Sequence, residues 1–241
     1  LNEKLDWTAG AYYVDQNKAI TIGQINLYYS QLNFIHGPDP TPSDSKAIFA
    51  HTTWHLTDNL NLSVGYRATE DHKEYGWLRR NPDGSAVQPC IPGTVGGSNN
   101  ILNPTNCAIF GVNGNSATFD SDRSDYRVAL DYRINDNVML YGQVATGYKG
   151  GGINPRPFFT VQIAPFGEEE VETTEIGVKT TLVDGRLRLN GAVFQNDQKG
   201  IQLNQAQCEI PGAGGTIVIG PPCAKPANVG DADVKGFELE A

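Results

Sequence analysis

Eight stretches of the chain alternate apolar and polar residues with a period of two. Successive side chains leave a strand on opposite faces, so each such stretch predicts a β-strand with one face against hydrocarbon and one against water. The stretches are 5–14, 47–56, 60–69, 123–134, 138–148, 171–182, 187–196 and 231–241. In the third, Leu60, Leu62, Val64 and Tyr66 oppose Asn61, Ser63, Gly65 and Arg67; in the seventh, Leu187, Leu189, Gly191 and Val193 oppose Arg188, Asn190 and Ala192. The fifth is apolar on both faces near its start, which leaves its facing open. The polar set of these strands includes Arg67, Arg127, Asp131, Arg133, Glu175, Lys179, Arg188 and Asn190.

The connections sharpen the picture. Three are short and rich in Asp, Asn and Gly, the residues that tolerate hairpin turns: "TDN" (57–59), "NDN" (135–137) and "VDGR" (183–186). The others, near 15–46, 70–122, 149–170 and 197–230, are long and hold most of the Gly, Pro and Cys. Loops beyond about 12–15 residues are uncommon in compact domains, and short and long connections alternate here, which puts every long loop at one end of the strands. A transmembrane β-barrel has this asymmetry, with short periplasmic turns and long extracellular loops, whereas Greek-key sandwiches spread long connections over both ends. Ten residues at about 3.4 Å each, tilted by roughly 45°, span about 25 Å, the apolar height of such a barrel. Trp7 and Trp54 near the short turns, and Tyr13, Tyr66 and Tyr126 toward the long loops, fit aromatic girdles at the two interfaces. The expected fold is therefore an all-β, antiparallel, up-and-down transmembrane β-barrel segment of eight strands. On this reading Leu187, Leu189 and Val193 face lipid, and the eight polar-set residues face an aqueous lumen.

Composition narrows the function classes. A formal net charge of −9 and the lack of a basic stripe argue against nucleic-acid binding. No apolar run approaches the roughly 18 residues of a membrane helix, which leaves a barrel open because its strands are only half apolar. Residues 1–20 carry no signal-peptide pattern. The four cysteines fall into two pairs, Cys90 with Cys107 and Cys208 with Cys223, each bracketing a Pro/Gly/Asn-rich stretch. None has metal or redox spacing, so two local disulfides and an oxidising compartment are expected.

No catalytic set, metal site or cofactor motif emerges. His51 and His55 share strand parity but lie roughly 13 Å apart, too far to ligate one ion. "GYKGGGIN" (147–154) lacks P-loop spacing, and its glycines suit a tight bend at a barrel rim. "DSDRSD" (120–125) lacks the EF-hand pattern and is expected at a solvated loop base, and "GEEEVE" (167–172) at a hydrated strand entrance. In the loop 70–122, "EYGWLRR" gathers Tyr75, Trp77, Arg79 and Arg80, an aromatic and arginine surface suited to an anionic or ring-bearing ligand.

Four segments together resemble one family. "LYGQVATGYKGGGIN" (140–154), "EEVETTEIGVKTTLVDGRLRLNGAVF" (169–194), "NVGDADVKGFELEA" (228–241) and "HLTDNLNLSVGYRATED" (55–71) are similar, in order and spacing, to the barrel of TonB-dependent outer-membrane receptors. The resemblance covers strands and turns and leaves the long loops unmatched. It implies residues 1–241 as part of a 22-stranded barrel of the plugged class, without the N-terminal plug domain and the C-terminal strands. The strands at 5–14 and 231–241 should then not pair. It also implies the outer membrane of a Gram-negative bacterium, contact with lipid and lipopolysaccharide, and the receptor's own plug and TonB as partners. The implied activity is energised uptake of a large scarce substrate: a ferric siderophore, cobalamin or an oligosaccharide. A self-contained passive pore or adhesin barrel would instead need eight strands closed edge to edge, and a soluble β-sandwich enzyme or lectin would need long loops at both ends.

Overall fold

The computed structural model describes residues 4–20, 23–27, 32–87, 111–221 and 223–241. Eight strands form one antiparallel sheet: β1 (Leu5–Gln16), β2 (Ser43–Thr57), β3 (Leu60–Gly76), β4 (Ser116–Asn135), β5 (Val138–Lys149), β6 (Glu169–Leu182), β7 (Leu187–Lys199) and β8 (Ala232–Glu240). They lie side by side in chain order, an up-and-down meander. Each alternating segment of the sequence falls in one of them. Among the described residues β1 pairs only with β2 and β8 only with β7, so the sheet is open and its two outer edges carry no partner.

Polar turn residues make the short connections. Asp58–Asn59 joins β2 to β3 and Asp136–Asn137 joins β4 to β5. In the second, Asn135 Oδ1 accepts from the Asn137 N–H at 2.9 Å, holding the bend with a side chain. Residues 183–186 join β6 to β7, with Val183 and Asp184 at φ 53° and Gly185 at φ 85°. Asp and Gly tolerate this left-handed backbone, while a β-branched valine is strained in it.

The register fixes the two faces. Leu62 opposes Leu130, Val64 opposes Val128 and Tyr66 opposes Tyr126 across β3 and β4. Further along the same face, Ile176 opposes Val193 and Val193 opposes Phe237. This face is apolar and exposed: Ile48 keeps 65% of its surface, Leu239 71% and Phe237 81%. The other face is polar. Loss of alternation at the long-loop end marks where the apolar face stops, for there β3 and β4 run on to Gly76 and back from Ser116 with Glu70, His72, Glu74, Asp120 and Asp122 on that same side.

Two sequence expectations are corrected here. The acidic run 120–125 is part of β4 and not a loop base, with Asp120 bonded to His72 Nδ1 at 2.6 Å. The long connections are also more structured than their composition suggested. Gly23–Leu27, Leu32–His36 and Arg79–Arg80 form a three-stranded sheet, and Cys208–Pro211 pairs with Ile217–Gly220.

The buried residues sit mainly at the long-loop end. Phe34, Val87, Phe158 and Phe159 form one cluster, and Tyr75, Trp77, Val112 and Ile153 another. The loops thus fold on one another into a cap above one end of the sheet. Gly151 lies where this cap meets the strands. A Cβ there would come within 2.4 Å of the Phe166 carbonyl and 2.5 Å of the Phe119 ring, and Lys73 Nζ donates to the Gly151 carbonyl at 2.6 Å. Close approach, more than a bend, accounts for this glycine.

Candidate functional site

The polar face is the larger of two candidate regions. One transverse row runs Arg133, Met139, Lys179, Asn190 and Glu240, each directly opposite the next. The row above it runs from His55 and Asn61 through Asp131 and Tyr141 to Glu238. Arg67, Arg127, Asp131, Arg133, Glu175, Lys179, Arg188 and Asn190 all belong to this face by register. Neighbours hold several of them in place. Arg127 Nε donates to Gln143 Oε1 at 2.9 Å, and Gln143 Nε2 donates to Glu175 Oε1 at 3.3 Å. Lys179 Nζ stands 5.3 Å from the Tyr141 ring centre, and Arg67 stands 6.0 Å from that of Tyr12. A hollow of about 330 Å³ near the short turns is lined by Arg133, Lys179 and Arg188. Alternating donors and acceptors of both signs make a charged, hydrogen-bonded wall. His51 lies on the same face, and His55 bonds Asn61 Oδ1 at 2.7 Å and Asp6 Oδ2 at 3.0 Å. Among the described residues no group of His, Cys, Asp and Glu could hold a metal ion.

The second region is the "EYGWLRR" segment, and its geometry corrects the sequence reading. Tyr75 is the penultimate residue of β3, and Tyr75, Trp77 and Arg79 are buried, with Trp77 at 0% exposure and Arg79 at 2%. Only Arg80 of the four is exposed. Their partners are inside the protein. Arg79 Nη1 donates to both Asp39 oxygens at 3.1 and 3.0 Å, the Tyr75 hydroxyl donates to Asp39 Oδ2 at 3.1 Å, and the Leu78 N–H donates to Asp39 Oδ1 at 2.8 Å. His36 Nε2 bonds the same carboxylate. Arg79 also lies 5.7 Å from the Phe34 ring centre, and Trp77 Nε1 donates to the Asn154 carbonyl at 3.2 Å. Burial opposes ionisation of Asp39, but the His36 and Leu78 hydrogen bonds and the Arg79 charge outweigh it and hold the carboxyl below its ordinary range. Burial and the same carboxylate push the Tyr75 hydroxyl up. Asp39 is the hub that sequence reasoning missed, because nothing in "HGPDP" points to an arginine forty positions on.

Cys208 and Cys223 form a disulfide with a Cα–Cα distance of 5.7 Å, as their spacing predicted, and Lys225 Nζ bonds Glu209 Oε2 at 3.1 Å beside it. Cys90 and Cys107 lie outside the described residues. At the entrance of β6 the acidic run is engaged, with Glu170 bonded to Arg123 at 2.8 Å and Glu172 to the Tyr126 hydroxyl at 3.0 Å.

The family described as "TonB dependent receptor-like, beta-barrel" matches residues 1–241. The chain belongs to this family. Its strands are a section of a Gram-negative outer-membrane barrel, and the apolar face is the kind of surface that meets lipid in such barrels. Among curated relatives, the pesticin receptor of Yersinia pestis is 26% identical over 204 residues, which cover 83% of this chain and 24% of that receptor. Among solved structures, the ferric yersiniabactin uptake receptor of Yersinia pestis superposes with a TM-score of 0.67 at 20% identity, over 99% of this chain and 29% of that one. The ferric-catecholate import receptor of E. coli K12, in its closed form, superposes with a TM-score of 0.55 at 17% identity, over 98% and 32%. These likenesses extend to the fold. The chain spans about a quarter to a third of the relatives it matches.

Proposed function

We propose that this section of TonB-dependent receptor barrel is wall for energised uptake of a ferric siderophore, with its polar face lining the transport lumen. The observation that carries the reading is a sheet with one exposed apolar face and one charged, hydrogen-bonded face, whose two edges carry no partner among the described residues. Unpaired edges are untenable in hydrocarbon, because each open N–H and C=O there costs several kcal/mol. Further strands must therefore meet β1 and β8 to complete a ring. That need favours a large receptor over an eight-stranded passive pore or adhesin. A lumen that wide needs a plug domain to close it, and the resemblance to TonB-dependent receptors supplies TonB as the source of energy. The names of the relatives, which include a ferric yersiniabactin uptake receptor and a ferric-catecholate import receptor, favour an iron chelate over cobalamin or an oligosaccharide. On this reading the chain performs no covalent chemistry.

The test is uptake of radiolabelled iron by iron-starved cells carrying the full-length receptor, offered ferric catecholate, hydroxamate and phenolate chelates in turn. The expected result is saturable uptake of one chelate class that stops when TonB is deleted. Uptake that persists without TonB, or a steady open-channel conductance in planar bilayers, would exclude energised transport.

A further inference from the structure

We propose that the hollow at the short-turn end of the polar face is an exit station, which binds carboxylate groups of the departing iron chelate. It rests on the uptake reading above and narrows the substrate to chelates that carry free carboxylates. The hollow holds about 330 Å³, within the range of small-molecule sites, and cations from three strands meet around it. Arg133 lies two residues before the end of β4 and opposes Met139. Lys179 continues that cross-strand row, and Arg188 opposes Thr181 in the next row toward the turns. Alternation puts all three on the polar face. Backbone bonds fix their surroundings: the Arg133 N–H donates to the Asn59 carbonyl at 2.8 Å, and the Thr181 N–H to the Asn137 carbonyl at 2.9 Å.

The three cations share one property, the lack of a counter-ion. At the long-loop end Arg79, Arg123 and Lys225 pair with Asp39, Glu170 and Glu209. Among the described residues Arg133, Lys179 and Arg188 form no ion pair. Lys179 Nζ instead stands 5.3 Å from the Tyr141 ring centre, which orients the ammonium without cancelling its charge. Asp136 is the one acid among the residues lining the hollow, and Glu240 lies beyond them, bonded to Asn190 at 3.4 Å. The local balance is therefore positive, in a chain of formal net charge −9. Cations grouped in a walled cleft focus the field and draw anions. Two guanidinium forks match carboxylates, each able to bind one bidentately, and the ammonium adds a point charge. Short turns face the periplasm in barrels of this class, so a chelate that enters past the long loops meets this group last. A neutral chelate gains nothing from it.

The experiment has two arms. Purified full-length receptor is titrated with tricarballylate, an iron-free tricarboxylate. Iron-starved cells are offered a ferric chelate with one free carboxylate, and the same chelate with that group as its methyl amide. Wild type should bind tricarballylate, and Arg133→Gln with Arg188→Gln should weaken binding by about tenfold. The same pair should lower the maximal uptake rate of the carboxylate chelate about tenfold at unchanged half-saturation, and leave the amide alone. Arg133→Lys with Arg188→Lys keeps the charge and should restore most of both. Equal tricarballylate binding by wild type and the Gln pair would overturn the station. So would a Gln pair that admits large antibiotics and slows both chelates equally, which would assign the cations to acidic residues of the receptor's own plug. Tricarballylate binding lost in the Gln pair, with no energised uptake of any chelate by wild type, would fail the uptake reading and keep the hollow as a carboxylate site.

Discussion

Three aromatic rings on the polar face reach over glycines directly across the strand, and Gly177→Ala tests what that packing is worth. Gly177 opposes Tyr141, Gly10 opposes Phe49 and Gly236 opposes Phe194. A Cβ built on Gly177 falls 2.6 Å from Tyr141 Cε1, Cζ and the hydroxyl oxygen, well inside van der Waals contact. The ring must swing away or the strands must part, an overpacking cost of about 1–3 kcal/mol. Replacing glycine returns about 0.5–1 kcal/mol through the unfolded chain. Displacing the ring also weakens its contact with Lys179, worth about 0.5–1 kcal/mol. The last two terms offset each other, and the expected net loss is about 1–3 kcal/mol. Urea unfolding of the full-length receptor in lipid vesicles, followed by heat-modifiable electrophoretic mobility, measures it. Gly142→Ala is the internal control: its Cβ meets nothing nearer than 3.8 Å, so the variant should be neutral or up to about 1 kcal/mol more stable. In a Tyr141→Ala background Gly177→Ala should likewise cost nothing, a coupling of at least about 1 kcal/mol across the double-mutant cycle. Equal effects of Gly177→Ala with and without the Tyr141 ring would refute the packing argument.

The same unfolding assay reads the facing of the wall: Val193→Arg should cost about 2–4 kcal/mol if its side meets the middle of the bilayer, while Asn190→Arg on the opposite face should be nearly neutral. Equal costs would sink the assignment of lumen and lipid sides. Asp39→Asn leaves the Arg79 charge buried without a counter-ion, a local loss of about 3–5 kcal/mol. It should appear as faster amide exchange across 34–40 and 77–87 with strand protection unchanged; uniform loss of protection would show that the cap and the wall unfold together. Because the Asp39 carboxyl lies below the ordinary value of 3.8, its contribution is complete above about pH 4 and fades as the pH falls through the lower folded value. Cap protection, taken relative to the intrinsic amide rate at each pH, should therefore drop below that pH in wild type, with the step absent in Asp39→Asn. Cys208→Ser with Cys223→Ser removes a cross-link of sequence separation 15, worth about 3 kcal/mol on chain-entropy grounds. Limited proteolysis should then cut within 202–228 while the eight strands stay intact, and an unchanged cleavage pattern would show the bridge to be dispensable.

What was legible in the sequence follows from where solvent differs on the two sides of a strand. Between Leu60 and Tyr66 one face is apolar and the other polar, so composition had to alternate, and all eight strands could be found. Above Tyr66 and Tyr126 both sides of β3 and β4 are polar, and Glu70–Gly76 and Ser116–Asp122 carry no periodic signal although they are as fully paired as the rest. The hairpin turns were legible because Asp–Asn and Asp–Gly sequences specify tight bends without help from distant residues. The Cys208–Cys223 pairing was legible because the two cysteines enclose one loop.

The burial signal is inverted relative to a water-soluble domain, which explains why the loop segment was misread. In the wall, apolar residues such as Phe237 are exposed because lipid does the covering, and no protein core is required. In the cap, aqueous surroundings restore the usual rule that a structured segment must bury something, and there the side chains gathered inside include Tyr75, Trp77, Arg79 and Asp39. An arginine beside two aromatics looks the same in sequence whether it faces a ligand or a buried carboxylate. Asp39 separates the two cases, and it lies on a different loop. Of Tyr75, Trp77, Arg79 and Arg80, the last alone is exposed, which makes it the candidate for ligand contact, beside a clamp in which Arg79 and Asp39 are paired with each other. If that division holds, Arg80→Ala should weaken chelate binding in the intact receptor without changing cap exchange, and Asp39→Asn should do both. A loss of binding with Asp39→Asn at unchanged cap exchange would instead make Asp39 a direct ligand contact and overturn the clamp.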